Sequence, residues 1–303
     1  MGRDRIWWAV LAVVLGCSPV EEASDALAGT QEGALVVATA AFRAHYLASF
    51  ADTAWCVVDS ELAGHEPAGT GRYPVFIYTV GTLGNHAGPE ADLIVRQMAA
   101  RGFVAASAQY QNFFLNACTP AVNKTRCIYD PGSARSAVAQ LCARPRADCS
   151  KGIVVGGMSQ GGQLALLARN FDPRVSAAWV MGGTNVYHAM SRCVDAGPGR
   201  ALPGDRTRVI NGDQDVFAYP WTMSQLTGKW CAPGADECFN GNGSGWRRVR
   251  GDEVSDGGAD HCFFTTDHGC TNSPSFDPGW APPAAHAWSL GPNLDWLKSM
   301  AGR

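Results

Sequence analysis

The chain has 303 residues, of which 46% are hydrophobic and only 17% charged, with a formal net charge of −3. That length and apolar content suit one large α/β domain. The near-neutral charge without a basic cluster argues against nucleic acid as a partner, no internal stretch approaches a membrane span, and no repeat is found.

The chain opens on Arg3 and Arg5, followed by an apolar run over 6–15, which reads as a signal peptide over residues 1–16. The apolar run is too short to span a bilayer as a mature helix. It ends Val14-Leu15-Gly16-Cys17, which resembles a bacterial lipobox. The resemblance implies lipidation of Cys17 and, with Ser18 next, outer-membrane sorting in a Gram-negative cell. The alternative is an ordinary signal peptide with Cys17 incidental. Residues 17–33, rich in Glu, Ala, Ser and Gly, read as a disordered tether ahead of a domain over 34–303. The expected address is extracytoplasmic, with the membrane touched through the lipid alone.

The chain has eleven cysteines, and setting Cys17 aside leaves ten, an even number that fits disulfides in an oxidising compartment. Short spacings suggest Cys118 with Cys127, Cys142 with Cys149, Cys231 with Cys238 and Cys262 with Cys270, which leaves Cys56 for Cys193. Sequence does not fix this connectivity. No C-x-x-C or H-x-x-x-H pair points to a metal.

Within the domain, Leu35-Val36-Val37 and Ala54-Trp55-Cys56-Val57-Val58 predict an opening hairpin, and 64–72 a polar connection. Residues 73–80 predict a buried strand with Pro74 near its start, ending in Gly81-Thr82-Leu83-Gly84-Asn85-His86. A helix is expected over 89–101, with Pro89, Glu90 and Asp92 in its first turn, Gly102 at its end, and Leu93, Ile94, Gln97 and Met98 on its inner side. With a strand over 103–108 this makes a βαβ crossover, which requires a parallel sheet. Residues 111–130 read as an irregular loop at the sheet's carboxyl edge, where ligands bind. Tyr110, Phe113 and Phe114 there either line a pocket or pack in the core. Residues 133–142 predict the next crossover helix.

The most informative stretch follows. Ile153-Val154-Val155 is a buried strand pattern, Gly157-Met158-Ser159-Gln160-Gly161 is a G-x-S-x-G pentapeptide, and residues 163–169 are strong helix formers. Strand, tight turn and helix set a serine hydroxyl at the carboxyl edge above a helix N-terminus. Gly157 and Gly161 remove side chains that would collide as the chain reverses. The bland alternative is a Gly-rich turn with an incidental Ser, since the chain holds 35 glycines.

Strand, elbow and helix together resemble the α/β-hydrolase superfamily, and Ser159-Gln160-Gly161-Gly162 looks like the turn of many secreted lipases, esterases and cutinases. The resemblance spans about residues 73–300 and beyond the elbow is one of pattern and order. It implies a mostly parallel sheet with helices on both faces. It also implies oxyanion donors at the backbone N–H of Gln160 and, in the loop after the strand at 73–80, of Thr82. Here Val80-Gly81 stands where the family commonly has His-Gly.

After the elbow, 175–181 predicts a strand and 182–205 a Gly- and Pro-rich insertion holding His188 and Cys193, a candidate lid. A strand over 206–210 leads into Asn211-Gly212-Asp213-Gln214-Asp215. By the resemblance this is the position of a triad acid, Asp215 first and Asp213 second, although Asp is also a common turn residue. Residues 219–229 predict a helix, 230–245 a Gly/Asn-rich insertion, 246–250 the last strand and 282–300 a closing amphipathic helix. The Gly-rich loop between them carries His261. Of seven histidines only His261, His268 and His286 follow the Asp; His261 is best placed to be the base and His268 is its rival.

The expected function is a secreted or membrane-anchored serine hydrolase that cleaves carboxylic esters through Ser159, Asp215 and His261, with no metal or organic cofactor, as a monomer, on a small or polymeric ester. The alternatives are a peptidase or amidase with the same triad, and a non-catalytic surface binding protein on that scaffold.

Overall fold

The computed structural model describes residues 38–113, 117–186, 188–265 and 275–302. They belong to one compact unit, Val36–Arg303. The signal peptide, Cys17 and the tether lie outside the described residues.

The chain starts with an antiparallel hairpin, β1 (Thr39–Ser49) and β2 (Cys56–Pro67). Buried and exposed positions alternate along β1 because one face of the hairpin meets solvent. A hairpin was expected, but its first expected segment, 35–37, lies outside the described residues and the strand formed is 39–49; β2 in turn runs on through residues 64–67, read from sequence as connection. There Gly64 and His65 pair with Ala106 and Ala105. Next come β3 (Val75–Thr79), α1 (Pro89–Ala100) and β4 (Val104–Ala108), with β3 and β4 parallel as the crossover demands. Ala91, Val95 and Ala99 share the buried side of α1 with Ile94 and Met98, whereas Leu93 and Gln97 flank it.

The expected loop over 111–130 instead holds α2 (Cys118–Tyr129). Cys118, Ala121, Thr125 and Ile128 recur at helical spacing and are buried, but two of the four are weakly apolar, and Ala117 provides no side-chain cap. Lys124 is also buried on α2, its Nζ 2.8 Å from Asp52 Oδ1. Then follow α3 (Ala137–Cys142), capped by Ser136, β5 (Ile153–Met158), α4 (Gln160–Leu167) and β6 (Val175–Met181). The rest is α5 (Ser191–Val194), β7 (Thr207–Gly212), α6 (Thr222–Thr227), β8 (Glu237–Phe239), β9 (Gly245–Val249) and α7 (Leu290–Met300). Strand β8 lies in what sequence gave as an insertion, and α6 and α7 are shorter than expected. His286, inside the helix expected over 282–300, therefore precedes α7.

The described residues form a nine-stranded mixed sheet in the order β1-β2-β4-β3-β5-β6-β7-β9-β8. It is parallel from β4 to β9, with antiparallel pairs at both edges. Helix α1 packs with α7, and α2 with α3 and α4, two sets that flank the sheet. Every residue of β3 to β7 is buried, the pattern of strands covered on both sides.

Two short-range disulfides are as expected, Cys142–Cys149 and Cys231–Cys238. Two expected pairings are wrong: the bonds are Cys56–Cys127 and Cys118–Cys193. The reason is α2 itself. Cys118 and Cys127 stand at its opposite ends, and nine helical rises separate them by about 13 Å, beyond the reach of a disulfide. Cys262 is disulfide-bonded, while its expected partner Cys270 lies outside the described residues.

Candidate active site

One residue, Ser159, separates β5 from α4. It has φ 50° and ψ −118°, a backbone that costs a non-glycine residue about 1–3 kcal/mol. The surroundings impose it. Ser159 N–H donates to Met181 O at 2.9 Å, its carbonyl accepts from Gln163 N–H at 3.2 Å, and Thr79 Oγ1 donates to Gly161 O at 2.8 Å. A Cβ at Gly157 would lie 2.4 Å from the Gly161 carbonyl carbon, and one at Gly161 would lie 2.0 Å from Thr79 O. Only glycine permits strand and helix to approach so closely. The Ser159 side chain does not cap α4 and is half-buried.

Beyond β7 the chain turns so that Asp215 is buried, its Oδ1 accepting from Phe217 N–H at 2.8 Å and its Oδ2 lying 2.9 Å from His261 Nδ1. A carboxylate only accepts, so Nδ1 of His261 carries the proton and Nε2 is left as the acceptor. Asp213, the alternative acid, is exposed and meets no histidine among the described residues. The loop after β9 is held against the β7 turn: Gln214 N–H donates to Ala259 O at 2.9 Å, and a Cβ at Gly212 would sit 2.0 Å from that same oxygen. The His261 ring rests on Gly182, where an added Cβ would be 3.0 Å from Cε1. Gly182 follows Met181, the acceptor for Ser159 N–H, so serine and histidine flank one two-residue segment. No hydrogen bond joins their side chains among the described residues. His286 is exposed and stacks on Trp288, and His268 lies outside the described residues.

The loop after β3 borders the serine, since a Cβ at Gly81 would approach Ser159 Cβ to 3.3 Å. Gly84 N–H closes on Gly81 O and Leu83 N–H on Asn112 O, which leaves Thr82 N–H without a backbone acceptor among the described residues. Gln160 opens α4, so its N–H has no acceptor within the helix. Sequence reasoning missed two residues that hold these loops, Asn112 and Asn211, and left the role of a third, Tyr110, open. Asn112 Nδ2 donates to both Gly81 O and Gly84 O at 2.8 Å. Asn211 exchanges two bonds with Gly183, at 2.8 and 2.7 Å. Tyr110 Oη donates to Val80 O at 2.6 Å, which makes Tyr110 packing rather than pocket lining. All three act across loops distant in sequence, so no local pattern gives their partners. Phe113 is exposed beside the Thr82 loop, and Phe114 lies outside the described residues.

Under the same loop, Tyr78 Oη donates to Glu90. Burial pushes the Glu90 carboxyl from its ordinary 4.5 up to about 7. Its first-turn position suggested a charge serving the helix dipole; desolvation outweighs that preference. Among the described residues no group of three or more His, Cys, Asp or Glu is arranged to hold a metal ion.

No protein-family model and no curated protein matches the chain. Among solved structures it is similar to the hypothetical protein PA2218 from Pseudomonas aeruginosa, at 16% identity and a TM-score of 0.38, over 56% of this chain and 50% of that one. The chain thus spans about half the length of that protein, and a likeness this distant bears no functional argument.

Proposed function

We propose that the protein is a serine hydrolase of the α/β-hydrolase fold that cleaves carboxylic esters. The buried Asp215–His261 hydrogen bond of 2.9 Å, on the segment packed beside the Ser159 turn, carries the reading. The parallel strand order, with the serine after β5, the acid after β7 and the histidine after β9, supports it. Ser159 Oγ attacks the acyl carbon and His261 Nε2 takes its proton. Backbone N–H groups of Gln160 and Thr82 stabilise the oxyanion. His261 returns the proton to the leaving alkoxide, and water, deprotonated in turn by His261, releases the acid. Asp215 holds the tautomer and stabilises the imidazolium. In this reading Cys17 is lipidated and tethers the enzyme outside the cytoplasm; the disulfides are consistent with an oxidising compartment.

Steady-state hydrolysis of 4-nitrophenyl acyl esters, beside matched anilides and peptides, tests this. Turnover of esters above amides, abolished in Ser159→Ala, is the expected outcome; an active, folded Ser159→Ala protein removes the assignment.

A further inference from the structure

The large apolar side chains left in solvent gather on one edge of the sheet. Among the described residues ten are exposed, and nine of these lie at the carboxyl edge, where the parallel strands end. Strand β1 runs antiparallel to β2, and β2 to β4, so β1 points the same way as β4 and its hairpin tip reaches that edge. Phe50, Trp55 and Val57 stand at the tip, Leu83 after β3, Phe113 after β4 and Val216 after β7. Trp55, Leu83, Phe113 and Val216 are each 66–70% exposed. The exception, Trp230, is near the start of β9 at the opposite edge, where Trp246 Nε1–H donates to Lys229 O at 2.9 Å. In the sheet order β5, which ends at Ser159, lies between β1 and β7, which stand about 29 Å apart at the usual strand spacing. Single exposed apolar residues are ordinary; a gathering of this extent marks an interaction site.

These segments are joined to one another and to the candidate active site. Ala51 N–H donates to Gln111 Oε1 at 2.6 Å and Leu83 N–H to Asn112 O at 3.1 Å. Phe217, next to Val216, meets the His261 ring edge-on at 4.7 Å. The hairpin tip is firmly held. Phe50 N–H donates to Trp55 O at 2.9 Å, Cys56 is bonded to Cys127, and Lys124 Nζ lies 2.8 Å from Asp52 Oδ1. Charge follows the opposite distribution. Residues 50–57, 81–88, 109–113 and 216–221 contain one Asp, the paired Asp52, and no Glu, Lys or Arg. At the other edge Arg72, Lys151 and Arg174 are exposed ahead of β3, β5 and β6. Towards β9 the apolar edge is bounded by exposed Asp213, Asp252 and Asp256.

We propose that this edge docks on a lipid bilayer, the hairpin tip and the loops after β3 and β7 entering its interfacial layer and Ser159 facing the membrane. It is a contact of the folded domain itself, beyond the one expected through a lipid on Cys17. Side chains that protrude from separate loops enter a fluid layer without needing a matching surface, and an indole is favoured at the membrane–water boundary. A protein partner, or a second copy of this chain, calls for a close-fitting face with hydrogen bonds across it, to which these loops bring few charged groups. A lone acyl chain gains most from an enclosing groove rather than from separate tips. Because the edge carries no unpaired cation on these loops, neutral lipid suffices. The chain before the domain permits this orientation. It enters β1 at the opposite edge, and the 11 residues of β1 cover about 36 Å, whereas residues 18–38 reach at most about 70 Å. A lipidated Cys17 and the apolar edge can therefore meet the same bilayer.

The test uses the whole mature chain from residue 17, with Cys17→Ser so that no lipid contributes, and vesicles of phosphatidylcholine. Co-sedimentation shows binding that persists in about 1 M NaCl, where exposed charges are screened. Trp55→Ser combined with Leu83→Asn weakens the partition at least tenfold; Asn suits the positive φ of 60° at Leu83. Trp230→Ser, at the other edge, leaves it unchanged. Lipids brominated on their acyl chains quench the tryptophan fluorescence of bound protein, and the quenching is smaller in Trp55→Phe, which still binds. That second measurement decides the matter even where the paired variant fails to fold. Absent binding, or binding indifferent to Trp55 and Leu83, overturns the proposal. So does binding that requires phosphatidylglycerol and is lost in salt, the mark of Arg72, Lys151 and Arg174. Self-association that the paired variant abolishes, without vesicle binding, gives the face to a second copy instead. Docking does not use Ser159, so vesicle binding by a protein without esterase activity would sink the hydrolase reading and keep this one.

Discussion

Ser159 was legible because its motif sits between a strand pattern and a helix pattern, and its positive φ is what such a turn requires. Choosing between Asp215 and Asp213 was not possible from spacing; burial separates them, and burial depends on the loop from β9 folding over the β7 turn. In the proposed mechanism Asp215→Asn lowers kcat by about 10³–10⁴-fold through loss of the tautomer. Asp213→Asn, at an exposed position, changes it less than twofold, and ester kinetics on the two variants check both. Glu90 gives a pH prediction. The unfolded chain loses this proton near 4.5 and the folded protein near 7, so between those values only the folded form holds it. Stability therefore falls as pH rises through that window. Glu90→Gln flattens this slope, measurable as Tm against pH from 4 to 8; an unaltered slope would mean Glu90 titrates alike in the folded and unfolded chains.

Elements with strong periodicity were read almost to the residue: β6 matches its expected bounds and α1 differs by one residue. Those that depend on tertiary packing were missed. Helix α2 hides its buried side behind Ala and Thr, and its ends are bonded to Cys56 and Cys193, partners more than 60 residues away in sequence. Strand β8 has three residues and exists because β9 offers an edge. The contact between elbow and sheet is among the tightest that a single methyl group would meet. Gly161→Ala sets a Cβ 2.0 Å from Thr79 O and is expected to cost about 3 kcal/mol or to prevent folding. Gly197→Ala, where a Cβ meets nothing within 4 Å, is expected to be neutral in the same denaturant titration.

Over the whole molecule, the mostly parallel sheet could be read in advance, because strand–helix alternation leaves few topologies open. Disulfide connectivity could not, since it follows from where α2 lies. The actual pairing gives the long-range bonds the larger share of stability. Cys56–Cys127 spans 71 residues and Cys142–Cys149 spans 7, so on the chain-entropy relation their losses cost about 4 and about 2 kcal/mol. Guanidinium midpoints of the two double Cys→Ala variants should fall in that order, and the Cys56/Cys127 variant should keep every other cysteine oxidised; under the pairing suggested by spacing it would break both Cys56–Cys193 and Cys118–Cys127, lose more, and leave Cys118 and Cys193 as titratable thiols. The central claim, that these loops activate one serine, is met most directly by a fluorophosphonate probe and mass-spectrometric mapping of the modified residue in the oxidised protein. The account predicts a single adduct on Ser159, lost in His261→Ala; an unlabelled Ser159 in folded, disulfide-intact protein, or labelling that persists without His261, contradicts it.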